Sequence, residues 1–137
     1  MTLRINFDDH ISSSAIIAGL SSIGGLYSVV KKEDATEIIL TALKLGFLDL
    51  DTAPHYGLGV SEERLGQALK ELAENVERPY RIWTKVGRVI QFTTEISDET
   101  QIELTNLPES SSCVFKDVPK DRVPVLDYSS DGVHSHT

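Results

Sequence analysis

Apolar positions in two stretches of the chain repeat with the spacing of an amphipathic helix. Ala35, Ile38, Ile39, Ala42 and Leu43 follow an i, i+3, i+4, i+7, i+8 stripe, which predicts a helix lying by that face on a sheet. Glu33, Asp34 and Glu37 occupy its first turn and Lys44 its last, the charge order that a helix dipole favours. Gly46 stands where a C-terminal cap belongs. The stripe recurs at Leu65, Ala68, Leu69, Leu72 and Ala73, with Ser61 as the expected N-cap before Glu62 and Glu63 and an expected end at Asn75.

Short apolar runs separate these helices. Ala15 to Ala18 has the composition of a buried parallel strand and leads into a flexible loop, Gly19 to Gly25. Phe47 to Asp51 reads as a second strand, with Phe47, Asp49 and Asp51 on one face and Leu48 and Leu50 on the other. Arg81 to Val86 supplies a third. The order β-α-β-α-β, with helices long enough for crossovers, predicts an α/β fold with a parallel sheet over residues 15–86.

The flanks lack such order. Residues 1–14 alternate weakly at Leu3, Ile5 and Phe7 before three serines, which suits a hairpin or a loose tail. Residues 87–127 hold Pro108, Pro119, Pro124 and the Glu109-Ser-Ser-Ser112 cluster without sustained periodicity. The expectation there is one long irregular loop, functional or disordered, because loops above roughly 12–15 residues are uncommon.

Bulk properties narrow the possibilities. A chain of 137 residues is one domain by length, and near 150 residues a domain buries roughly 68–70% of its unfolded surface. A net charge of -8 argues against nucleic acid and against an anionic membrane surface, since both partners select Lys and Arg. Cys113 is the only cysteine, so an internal disulfide and a Cys-rich metal site are excluded. No run approaches the roughly 20 apolar residues of a membrane span, and acidic residues stand where a signal peptide would be apolar. A cytoplasmic protein is expected.

The candidate chemistry lies in Asp51-Thr-Ala-Pro-His-Tyr56-Gly-Leu-Gly-Val-Ser-Glu-Glu-Arg-Leu-Gly66, followed by Thr84-Lys85-Val-Gly-Arg88. These segments put a carboxylate, a phenol and an amine at the C-terminal ends of adjacent parallel strands. Singly, Tyr56 reads as a packed aromatic, Lys85 as a solvated strand end and Asp51 as a turn residue. Jointly they suit proton transfer. Hydride exchange with a carbonyl needs a matching proton at oxygen, and a free phenol, with a pKa of roughly 10, exchanges it poorly near neutrality. An adjacent ammonium favours the phenolate, and a carboxylate holds the amine in place.

The sixteen consecutive positions from Asp51 to Gly66 resemble the aldo-keto reductase family, and within it the branch of D-threo-aldose 1-dehydrogenase and pyridoxal 4-dehydrogenase. The likeness runs from about Ala15 to Arg88 and returns at Asp127-Tyr-Ser-Ser-Asp-Gly132. It implies the N-terminal β-α-β-α-β part of a (β/α)8 TIM barrel, with Tyr56 as general acid/base, Lys85 as the group that tunes it and Asp51 as partner of Lys85. It also implies NADP or NAD as cofactor and an aldose or small carbonyl as substrate. Residues 128–137 would open a third helix, although Val133-His-Ser-His-Thr137 departs from the amphipathic run expected there. Gly24 and Gly25 match a cofactor-side loop by backbone approach, while Gly19-Leu20 departs from the family's Gly-Thr pair and the loop lacks the G-x-G-x-x-G fingerprint.

Other polar groups are assigned plainer roles. His55 is expected to shape the pocket mouth, and Asp49 to form a salt bridge deeper in the barrel. His134, His136 and Asp131 are rejected as a metal site, because a terminal His-x-His lacks a supporting shell. Barrels of this kind take about 250 residues. The catalytic histidine after the fourth strand and the late cofactor contacts implied by the resemblance have no counterpart here. The chain is therefore expected to be an incomplete, truncated oxidoreductase, inactive alone. The alternative is a non-catalytic pseudoenzyme fragment or interaction module.

Overall fold

The computed structural model describes residues 16–72, 80–100, 102, 107 and 114–134. The expected β-α-β-α-β order is present as β1 (Ile17–Gly19), α1 (Lys32–Lys44), β2 (Asp49–Asp51), α2 (Val60–Leu72) and β3 (Arg81–Trp83). A short 3-10 turn, Ser22–Gly24, lies between β1 and α1. The strands form a parallel sheet in the order β1-β2-β3. Ile17, Asp49 and Arg81 align across it, as do Ala18, Leu50 and Ile82, and then Gly19, Asp51 and Trp83. Period-two alternation thus places both aspartates on one face and Leu50 on the other.

The Leu50 face meets the helices. Leu50, Leu20 and Ile23 pack with Ala35 and Ile39 of α1 and with Leu65, Ala68 and Leu69 of α2. Burying a leucine such as Leu50 contributes about 1.5–3 kcal/mol. Helix α1 ends as its sequence predicts: Gly46 has φ +90°, its amide donates to Leu43 C=O, and the Phe47 amide donates to Ala42 C=O, both at 3.0 Å. This double bond pattern is the Schellman cap.

Four expectations need correction. The first strand spans Ile17–Gly19 and is not buried: Ile17 is 50% exposed, because its side chain shares the Asp49 face rather than the helix-packed face. Ile38, expected in the buried stripe of α1, is 42% exposed. Ser61 lies inside α2 rather than at its cap. The helix starts one residue earlier at Val60, with the Glu63 amide bonded to Gly59 C=O at 3.0 Å and Gly59 at φ +89°.

The fourth concerns 87–127, which is not irregular throughout. Strands β4 (Gly87–Phe92) and β5 (Arg122–Asp127) pair antiparallel from Gly87↔Asp127 to Phe92↔Arg122. Pro124 interrupts the strand pattern of β5, yet a two-stranded ladder consists only of edges, where proline is tolerated. Helix α3 (Ser130–His134) follows, opened by Ser129. The Ser129 hydroxyl accepts the Gly132 amide at 3.2 Å, and the Ser129 amide donates to Asp127 at 2.9 Å. Hydrogen bonding to Asp127 by the Ser129 side chain and then its backbone holds the Asp127 carboxyl below its ordinary range. Residues 1–14, Ala15, Ala73, Asn75 and His136, with the side chain of His134, lie outside the described residues.

Candidate active site

Two strand ends and the turn after β2 bring the three predicted groups to one place. Asp51 closes β2, where the Leu20 amide binds its carbonyl at 2.9 Å and the Thr52 amide binds Trp83 C=O at 2.8 Å. The parallel ladder therefore continues to the edge of the site. Lys85 follows β3, and Tyr56 stands in the turn between β2 and α2. Lys85 Nζ donates to both carboxylate oxygens of Asp51 and to Thr52 C=O, each at 2.9 Å. It also sits 4.9 Å from the centroid of the Tyr56 ring, within cation–π range. The Tyr56 hydroxyl reaches Asp51 Oδ2 at 3.5 Å, a long and weak hydrogen bond.

Electrostatics at Lys85 combine opposing effects. Burial pulls its pKa down, but hydrogen bonds to Asp51 and Tyr56 and their charges outweigh that and leave it above the ordinary lysine value. The Lys85 side chain is half exposed, so its ion pair contributes at most about 1 kcal/mol to folding. The arrangement orients charge rather than stabilising the fold. A small cavity of about 110 Å³ opens beside Tyr56 and Lys85, walled by Ala53, Pro54, His55, Val86 and Arg88. A cleft of about 290 Å³ between the start of α2 and β4 touches none of the three groups.

Asp49 makes the salt bridge expected of it. Arg81 grips it with two bonds of 2.6 Å, and Trp83 Nε1 donates at 2.9 Å. Those bonds, Arg81 first and then Trp83, hold its carboxyl below the usual range against the opposing effect of burial. His55 does lie at the cavity wall, with its ring edge-on to Phe115 at 5.7 Å.

Gly24 and Gly25 are engaged inside the protein. Their amides donate to Ser21 and Ser22 carbonyls at 3.1 and 2.9 Å, and Gly25 C=O accepts the Lys116 amide at 2.9 Å. A Cβ on Gly24 would stand 2.7 Å from the Tyr56 backbone, and one on Gly25 would stand 2.5 Å from Lys116 O.

Three supporting residues escaped the sequence reading. Ser61 is fully buried, donates to Leu20 C=O at 3.0 Å and bonds the Thr52 hydroxyl at 2.9 Å, tying the ends of β1 and β2 together under Asp51. Its place just before Glu62 and Glu63 imitates a cap. Arg64 donates to the carbonyls of Ile23 and Val30, securing the loop beneath Tyr56. Phe115 meets the Tyr56 ring at 6.0 Å; its only sequence signal is a lone aromatic in an aperiodic segment. Among the described residues no cluster of His, Cys, Asp and Glu could hold a metal, and no helix is long and apolar enough to cross a membrane.

Comparison with known proteins sets this geometry in context. The chain is 34% identical over 73 residues to D-threo-aldose 1-dehydrogenase of a Pseudomonas species, covering 53% of this chain and 21% of that protein. It is 37% identical over 86 residues to L-galactose dehydrogenase of Arabidopsis thaliana (63% and 27%) and 35% identical over 80 residues to pyridoxal 4-dehydrogenase of Microbacterium luteolum (58% and 22%). The chain thus spans about a quarter of the length of these curated relatives. No solved structure matches it. Residues 15–107 match the sequence pattern of the Aldo/keto reductase family, a family of (β/α)8 barrels to which the parallel β1-β2-β3 sheet corresponds in part. With that match over more than half its length, the chain belongs to the aldo/keto reductase family.

Proposed function

We propose that the protein carrying this chain is a nicotinamide-dependent oxidoreductase. It moves hydride between NAD or NADP and an aldose or another small carbonyl or alcohol, in the cytoplasm. Residues 1–137 form part of one such domain, with 15–86 as its core and Asp51, Tyr56 and Lys85 as its proton-transfer group. The observation that carries this reading is Lys85 Nζ, 2.9 Å from both Asp51 oxygens and 4.9 Å from the Tyr56 ring centroid. A packed tyrosine or a solvated lysine alone has no need of that arrangement.

When bound, the nicotinamide supplies or accepts the hydride. The chain's own residues handle the proton. Tyr56 gives its hydroxyl proton to the carbonyl oxygen during reduction and recovers one during oxidation. Lys85 keeps positive charge beside the phenol as its oxygen becomes anionic, and Asp51 holds the ammonium there. At rest the hydroxyl leans on Asp51 at 3.5 Å; so long a bond is easily exchanged for one to substrate. Gly24 packs under Tyr56, and Gly24 and Gly25 belong to the loop whose backbone approaches the cofactor in this reading.

The test is NADH or NADPH turnover with a panel of aldoses and aldehydes, in Tyr56→Phe and Lys85→Met. Turnover should fall about 10²-fold or more, while nucleotide affinity measured by fluorescence stays within about threefold, as expected of groups that act mainly in the transition state. Unchanged turnover in either variant refutes the assignment. A second reading, a non-catalytic interaction module, is favoured by Ile17 and Trp83, each 50% exposed on the Asp49 face of the sheet. A folded protein that leaves nicotinamide fluorescence unaltered supports that reading.

A further inference from the structure

A piece of chain from the aperiodic segment covers Tyr56. Val114-Phe115-Lys116 runs antiparallel to Gly25-Leu26-Tyr27, with Leu26 opposite Phe115. The Tyr27 amide donates to Val114 C=O at 3.0 Å and the Lys116 amide to Gly25 C=O at 2.9 Å. Val114 and Lys116 are exposed, whereas Phe115 is only 9% exposed. Its ring lies 6.0 Å from that of Tyr56, tilted by 33°, and meets His55 nearly at right angles. The Tyr56 ring therefore contacts an aromatic ring and an ammonium, while its backbone rests on Gly24.

From this we infer that Phe115 is a positioning residue for Tyr56: the strap 114–116 presses its ring against the tyrosine and keeps the phenol beside Lys85. A tyrosine in a turn can swing about its first side-chain torsion between staggered wells. Gly24 fixes the backbone but exerts no control over that torsion. Phe115 does, because rotation away from Lys85 breaks the ring contact with a side chain that is itself buried and anchored on both sides by backbone bonds. The role of the tyrosine in turnover rests on the function proposed above; the placement of its ring does not.

The test therefore uses a readout independent of turnover. In the 137-residue chain with labelled tyrosine, the Tyr56 ring resonance is assigned by its loss in Tyr56→Phe, and its nuclear Overhauser contacts to the Lys85 side chain are measured. Phe115→Leu, which keeps apolar volume without the ring, should lose those contacts, whereas Phe115→Tyr should keep them. Lys116→Pro, which deletes one strap bond and leaves the ring chemistry intact, should also lose them, and it decides the matter if Phe115→Leu does not fold. Contacts that persist in Phe115→Leu or Lys116→Pro overturn the inference, as does their loss in Phe115→Tyr. Should Tyr56→Phe retain turnover while Phe115→Leu loses the contacts, the functional reading fails and the positioning role stands. If both hold, the misplaced phenol in Phe115→Leu lowers kcat roughly 10- to 100-fold with KM little changed.

Discussion

Replacing Gly24 by alanine separates two explanations of the glycine pair. A methyl group there would stand 2.7 Å from both the carbonyl carbon and oxygen of Tyr56 and 3.1 Å from its Cβ. Ordinary contact begins near 3.4 Å, so the two segments must part by about 0.7 Å, a displacement that overpacked sites resolve through backbone shifts. No side-chain rotation relieves it, because the opposing atoms are main chain. The opposite wall is equally tight: a Cβ on Gly57, at φ +70°, would meet Gly24 O at 2.2 Å. Overpacking of this kind costs about 1–3 kcal/mol. At a urea m-value of about 2 kcal/mol/M, a loss of ~2 kcal/mol lowers the midpoint by about 1 M.

The assay is equilibrium urea unfolding of Gly24→Ala, followed by far-UV circular dichroism without any nucleotide. Gly66→Ala is the internal control: Gly66 lies within α2 with open space around its Cβ position, so alanine should stabilise by roughly 0.5–1 kcal/mol. If Gly24 serves a cofactor alone, its substitution leaves the midpoint untouched and weakens only nucleotide binding. A Gly24→Ala midpoint equal to that of the parent would falsify the packing argument.

Two further predictions follow from buried polar groups. Ser61→Ala strands the Leu20 carbonyl and the Thr52 hydroxyl inside the protein and should cost about 1–3 kcal/mol by urea unfolding; a loss below about 0.5 kcal/mol contradicts the bonding. For Asp49, the folded pKa is lowered by Arg81 and Trp83, so its contribution to stability is present above the unfolded value near 3.9 and fades as pH falls through the folded value. Thermal midpoints should therefore drop with acid below about pH 4, and Asp49→Asn should flatten that part of the curve. An unchanged acid slope in the variant rules out Asp49 as its source.

Helices α1 and α2 and strand β2 were legible in the sequence because each is encoded within a dozen residues: the apolar stripe, the acidic first turn, Gly46 at the cap. The nearness of Asp51 and Lys85 was legible too, since Asp51 ends β2 and Lys85 follows the neighbouring strand β3, with Tyr56 in the turn after β2. What the sequence reading missed depends on partners far along the chain. Val89 pairs with Val125 and Ile90 with Pro124, and nothing local announces a ladder whose halves are separated by a long connection. Ile17 looks like a core residue by composition, yet the register with Asp49 turns it to the other face. Ser61 satisfies every local rule for a cap, but the left-handed Gly59 starts the helix sooner and frees the hydroxyl to hold Leu20.

Order of assembly follows from the strap. Leu26 and Phe115 meet across about ninety residues of chain, a closure that is entropically expensive and characteristic of late folding steps. The β1-β2-β3 sheet and its two helices are complete by Trp83 and contain nearly all of the buried cluster, so nothing in them waits for residue 115. The scaffold can mature first, with the Tyr56 ring still unclamped until the strap docks. On the reverse path the strap, joined to Gly25 and Tyr27 by two backbone bonds, can depart while the sheet and its helices still stand.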